Sequence, residues 1–359
     1  MSLRTIPFAV VLRLCALCLC ALYLSTGCAS RPPEHPLAPT VVTDPVPHDS
    51  DDPAFWIHPT DPTRSLLLGT DKMESSGGLY VFDLTGAEQT ALRRDALDRP
   101  NNVDVAYGVP LGADTIDVAI VTERGRQRLR IFRLPDMTPV DGGGLPVFTD
   151  QPDHALVMGV AVYQPPGTGE TFVIVSRKTA PRPSGYLYQY RLHEVEGMNR
   201  LGLSFARAFG SFEGSTEIEA VAVDPVLGYV YYADEGFGIR KYYAHPDSGQ
   251  AELAVFGTDH FVGDREGIAL YATSDSTGYL LVSDQQGGEL HVYPREGIPG
   301  QPHTHPLLAE IPWMARDTDG VDATAHPLGP TFPRGAVAAM STDRTFHLYD
   351  WRAIEARLP

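Results

Sequence analysis

Cysteine is missing from nearly all of this chain. The four present, Cys15, Cys18, Cys20 and Cys28, crowd into the first 28 residues, so no disulfide can brace the body. Lysine is almost as scarce: only Lys72, Lys178 and Lys241, against a combined lysine and arginine count of 28. No lysine follows a glycine, which excludes a Walker-type phosphate loop. There is also no Gly-x-Ser-x-Gly elbow and no His-Glu-x-x-His helix. Long apolar runs are confined to Leu14–Leu24, where Arg13 leaves the stretch short for a membrane span. The formal net charge of −17 repels nucleic acid and anionic lipid surfaces and suits divalent cations.

What the chain does contain is periodic. Six β-type segments recur, marked by Leu79, Leu129, Leu187, Ile239, Leu290 and Phe346, with separations of 50, 58, 52, 51 and 56 residues. Two further strands precede each marker, the second of them apolar almost throughout, and turn clusters such as Pro59-Thr60-Asp61-Pro62 separate them. A strand-built repeat of this length predicts an all-β, six-bladed β-propeller that uses the chain from about residue 48 to residue 353.

Ahead of it, residues 1–27 read as an export signal that ends Leu24-Ser25-Thr26-Gly27-Cys28, like a bacterial lipobox with Cys28 as the lipidated residue. Residues 28–47, with Pro32, Pro33, Pro36, Pro39, Pro45 and Pro47, are expected to form an extended tether. This predicts an extracytoplasmic, monomeric protein that meets a membrane only through a lipid anchor, or a secreted one if Cys28 is unmodified.

Antiparallel neighbours put the start of strand one and the end of strand two at the same end of a blade. Those ends are polar. Asp51, Asp52, Asn101, Asn102, Glu217, Glu219, Asp264, Glu266, Asp317, Asp319 and Asp322 lie at strand-one starts. Asp71-Lys72, Glu123-Arg124, Arg177-Lys178, Asp234-Glu235 and Asp284-Gln285 lie at strand-two ends. A radial arrangement gathers them around one mouth of the channel. Carboxylates without thiols or imidazoles point to a hard cation rather than zinc or copper. His303 and His305 sit in a Pro-rich loop and are expected to be solvated.

Five motifs in order, Asp51-Asp52-Pro53-Ala54-Phe55-Trp56, Pro100-Asn101-Asn102-Val103-Asp104, Asp264-Arg265-Glu266-Gly267, Gly278-Tyr279-Leu280-Leu281 and Asp317-Thr318-Asp319-Gly320-Val321-Asp322 with Leu328-Gly329-Pro330, resemble the β-propeller phytases from about Asp51 to Trp351. The resemblance implies several calcium ions and hydrolysis of phytate (myo-inositol hexakisphosphate) or a related phosphoester. It implies that Asp52 with the carbonyls of Pro53 and Val103 holds one calcium, and that Glu219, Glu235, Asp264, Glu266 and the Asp317 segment hold others. It casts Lys72, Arg124, Arg177 and Lys178 as phosphate contacts, and Glu235 as the group that orients or deprotonates the attacking water. The chain departs from the family pattern at Met73, Met158, Thr179 and the last-blade stretch Ser341-Thr342-Asp343-Arg344. A calcium-stabilised binding propeller or a sugar-lactone hydrolase is the alternative reading.

Overall fold

The computed structural model describes residues 35–180, 184–214 and 216–359; the signal segment, Cys28 and the first part of the expected tether lie outside them. Six antiparallel sheets follow one another along the chain. The first blade comprises Ser50–Trp56, Leu66–Asp71, Gly77–Asp83 and Arg94–Leu97, and the second Pro100–Leu111, Asp114–Glu123 and Arg128–Leu134, with two short pieces, Thr138–Pro139 and Leu145–Pro146, as its outer edge. Blades three, four and five begin with Val157–Tyr163, Val221–Asp224 and Arg265–Ala272, and blade six with Val321–Thr324. These first strands are the inner ones. Each packs against the inner strand of the next blade, and Val321–Thr324 returns to Ser50–Trp56, so the ring closes. The fold is the expected six-bladed propeller.

The second strands Leu66–Asp71, Thr171–Arg177 and Ala336–Ser341 are buried along their whole length. Apolar clusters fill each space between blades; Val173 and Val175 of blade three, for instance, meet Ile120 and Ile131 of blade two. Stacked sheets buried on both faces read as continuous apolar strands.

Closure differs from the sequence expectation. Val41–Val42 pairs with Thr345–Asp350 as the outer strand of blade six. Main-chain bonds from Thr40 to Leu348, Thr43 to Phe346 and Val46 to Arg344 extend the contact. Leu37 and Val46 are buried. The stretch from Leu37 to Val46 is therefore part of the propeller rather than tether. The first and last blade-forming segments are thereby locked together, which satisfies an edge that three strands would leave open. Comparing chains that begin at residue 36 and at residue 44 tests this: the shorter is expected to melt several degrees lower by calorimetry, and equal melting would mean that three strands suffice for blade six.

Candidate functional site at the channel mouth

One main-chain hydrogen bond recurs in all six blades where strand two ends. Lys72 donates to Asp49 (2.8 Å), Arg124 to Arg99 (3.0 Å), Lys178 to Leu156 (2.8 Å), Glu235 to Glu217 (3.3 Å), Gln285 to Asp264 (3.1 Å) and Thr342 to Arg316 (3.1 Å). Each bond ties the strand-two end to the loop entering the inner strand of the same blade. These six residues therefore occupy equivalent positions around the mouth.

In four blades the acid just before that residue braces the same loop. Asp71 accepts from the amides of His48 and Asp49, Glu123 from Asp98, Asp234 from Glu213 and Gly214, and Asp284 from Val262 and Gly263. One residue earlier, hydroxyls join neighbouring blades. Thr70 donates to the Asn101 carbonyl (2.5 Å), Ser176 to Ile218 (2.7 Å) and Ser283 to Thr318 (3.0 Å). Gly159 is required here, because a Cβ would overlap the Glu219 carbonyl oxygen.

This frame sorts the expected site residues. Lys72 pairs with Asp51 (2.8 Å) and with Asp319. Burial works against its charge, yet the two carboxylates hold its pKa above the ordinary lysine value. Arg124 and Lys178 both reach the Glu217 carboxylate, at 3.3 and 2.5 Å, and Arg124 also contacts the sulfur of Met158. Asn101 Nδ2 bridges Asp51 (3.1 Å) and Glu219 (3.2 Å).

Arg177 belongs elsewhere. It occupies the bracing position, is 1% exposed, lies 4.9 Å from the ring centres of Phe148 and Tyr188 and donates to the Gly185 carbonyl (2.5 Å). It shares the strand face of Val173 and Val175 and extends their apolar cluster, so its expected role as a phosphate contact does not fit its place. Asp317 is also corrected: it is exposed in a left-handed conformation (φ 44°), and Asp319, two residues on, turns inward to Lys72 and Gln285. His305 is buried between Lys241 Nζ (3.1 Å) and the Pro294 carbonyl (2.7 Å), contrary to the solvated expectation.

Glu219, Glu235 and Glu266 are all buried. Burial, then the charge of Asp51, raises Glu219 well above the usual carboxylate range. Burial, then Glu235, does the same for Glu266. Burial, then Glu217, pushes Glu235 up to about 8. Asp319 rises to about 6 through burial and Asp51. Asp264 is half-buried and pairs with the Gln286 amide (3.3 Å).

The donors suit a hard cation. Glu217, Glu219 and Glu235 can each bring one oxygen within 4.8 Å of the others. Glu235 Oε2 accepts from the Glu217 amide (3.1 Å), while Oε1 is buried with no partner among the described residues. An oxygen-only set of this kind matches calcium chemistry.

Below the mouth, the channel encloses about 780 Å³ between the inner strands, with Asp52, Pro53 and Val103 on its wall. Asp52 accepts from the Val103 amide (2.9 Å), Asp104 from Val162 (2.6 Å) and Asp322 from Phe55 (2.7 Å). Burial raises Asp52 well above its ordinary value, Asp104 to about 7 and Asp322 to about 6. Asp104 was not anticipated as a channel residue; its alternation with Val103 and Val105 on an inner strand is the sequence signal for it.

A family model described as Phytase matches residues 5–347. The 3-phytase of Bacillus subtilis (strain 168) is 29% identical over 339 residues, spanning 88% of this chain and 84% of that protein. Among solved structures, one titled "Structure of Dos1 propeller" aligns with a TM-score of 0.42 at 10% identity, covering 80% of this chain and 65% of that one. One titled "Crystal structure of Nidogen/Laminin Complex" gives 0.43 at 13% identity, covering 78% and 95%. Both are too remote to inform the site.

The raised carboxylates fix a pH dependence. In chelator, the folded state holds protons on Glu235, Asp104, Asp319 and Asp322 that the unfolded chain has already lost, so their contribution to stability falls as pH rises, opposed below about 6.5 by His291, His305 and His347, whose pKa values burial lowers. Denaturant midpoints at about pH 7 and about pH 8, above the histidine range, test it; a midpoint that rises between them would contradict the buried, charge-crowded carboxylates.

Proposed function

The chain belongs to the phytase family, and on that footing we propose that its mouth binds phytate or a related phosphoester and hydrolyses the phosphate monoesters with calcium as cofactor. The observation that carries this reading is the juxtaposition of Lys72, Arg124 and Lys178 with the unpartnered, buried Oε1 of Glu235 on one rim. The 3-phytase relative supports the substrate class.

Lys72, Arg124 and Lys178 are placed to hold phosphate oxygens, Arg124 with its planar fork and the lysines as point charges. Glu217, Glu219 and Glu235, with Glu266, Asp264 and Asp319 beside them, would hold calcium, as would Asp52 with the Pro53 and Val103 carbonyls in the channel. Bound calcium supplies positive charge that offsets these carboxylates and polarises phosphate oxygens.

Glu235 is the general base. The Glu217 amide fixes its Oε2, which leaves Oε1 free to take the proton of an attacking water. As the new O–P bond forms, the bond from phosphorus to the ester oxygen opposite breaks. The inositol oxygen leaves, takes a proton and becomes a hydroxyl, and inorganic phosphate is released. On the lipobox reading of Cys28 alone, we place the protein outside the cytoplasm, anchored by lipid or secreted.

Glu235→Gln keeps the side-chain shape but cannot accept the proton, so kcat is expected to fall by about 10²–10⁴-fold with the fold intact by circular dichroism. Near-normal turnover would remove Glu235 from the mechanism. Chelation is expected to abolish phosphate release from phytate and to lower the melting temperature, since an ion bound only by the folded state stabilises it by mass action. Release that persists after verified metal removal would exclude calcium from the reaction.

A further inference from the structure

Glu217 contacts Arg124, Lys178 and Glu235, two of the rim's cations and its general base. A single oxygen, Oε2, serves both Arg124 Nη2 (3.3 Å) and Lys178 Nζ (2.5 Å). Its amide holds Glu235 Oε2, and its carbonyl accepts from the Glu235 amide. Its carboxylate also comes within 4.8 Å of oxygens from Glu219 and Glu235. The two cations it pairs with are anchored by their backbones, Arg124 on Arg99 and Lys178 on Leu156, so their side chains can change partner while the main chain stays fixed.

This carboxylate has two competing sets of neighbours. Paired with Arg124 and Lys178, it occupies the cations that a phosphate needs. It already lies within reach of Glu219 and Glu235, so a divalent ion among the three would share its charge and weaken its hold on both cations. Placing three carboxylate oxygens together is unfavourable without positive charge among them, and calcium favours many oxygen donors.

We propose that Glu217 links metal loading to phosphate binding, its carboxylate standing in for phosphate on Arg124 and Lys178 until a divalent ion held with Glu219 and Glu235 takes up its charge. Glu217 is thus a positioning residue, and its role rests on the calcium-assisted reading of the mouth given above. It makes each ligand raise the affinity for the other, as any coupling between two binding equilibria must.

The test is calorimetric titration of inorganic phosphate into the full folded chain, in chelator and at saturating calcium. In the native protein, calcium is expected to tighten phosphate binding within the range of about 5–150-fold typical of coupled sites. Glu217→Gln removes the stand-in charge, so phosphate should bind about tenfold more tightly in chelator and the calcium effect should shrink by the same factor. Glu217→Asp, which keeps the charge, should restore most of the calcium effect; should the Gln variant fail to fold, Glu217→Ser reports the same ratio. A calcium effect equal in native and Glu217→Gln proteins would overturn the assignment to Glu217 while leaving the calcium reading intact. No calcium effect in the native protein would overturn both.

Discussion

The carboxylates of Asp51, Glu217, Glu219, Glu235, Asp264, Glu266 and Asp319 share one partly enclosed mouth, where Lys72, Arg124 and Lys178 pair with three of them. Like charges held out of water repel strongly, and the fold must hold them together against that repulsion. It does so by satisfying everything around them. Hydroxyls join adjacent blades, bracing acids bind loop amides, and inner-strand glycines let neighbouring backbones approach closely. The strain is therefore concentrated on side-chain charge and kept off the backbone hydrogen bonds. That division is what the proposed binding of a divalent cation and a polyanion together would draw on.

The repeat made the fold legible. The marker residues Leu79, Leu129, Leu187, Ile239, Leu290 and Phe346 are all fully buried in third strands, and the period alone counted the blades. Closure of the ring was less visible, because Val41–Val42 is a two-residue strand among prolines whose partner, Leu348 and His347, lies at the far end of the chain. No local pattern announces such a pairing. It depends on the edge of blade six needing a fourth strand.

The site was legible to the level of the strand end but not of the individual side chain. At five of the six strand-two ends a charged residue is followed by the mouth residue: Asp71 then Lys72, Glu123 then Arg124, Arg177 then Lys178, Asp234 then Glu235, Asp284 then Gln285. Successive strand residues face opposite ways, so charge content alone cannot say which member of a pair enters the mouth. Arg177 was misjudged for that reason. Its alternation with Val173 and Val175 was the available signal, and it places the guanidinium over Phe148 and Tyr188. Asp317 failed differently, since a left-handed residue ahead of the inner strand turns one acid outward and presents Asp319 in its place.

The equivalent positions also show how a sixfold frame becomes a directional site. Going round from blade one, the mouth residues are Lys72, Arg124, Lys178, Glu235, Gln285 and Thr342. The cations come from three consecutive blades. The carboxylates come from the entries to blades four, five and six, with Asp51 of blade one closing the arc. Glu235 stands where the two arcs meet, and Glu217 reaches across that boundary to Arg124 and Lys178. The arcs meet a second time where Lys72 pairs with Asp51 and Asp319, so a phosphate on the cationic arc would have an acidic neighbour at either end, with Glu235 at the end beside Lys178. The third lysine supports this division by its exclusion. Lys241 is fully buried 3.8 Å from the centre of the Tyr229 ring, its pKa depressed to about 8 by burial. Its ammonium is committed to Pro302 and His305. The lysines left for the mouth are the two set on the cationic arc, where a compact charge can give up a carboxylate for a phosphate.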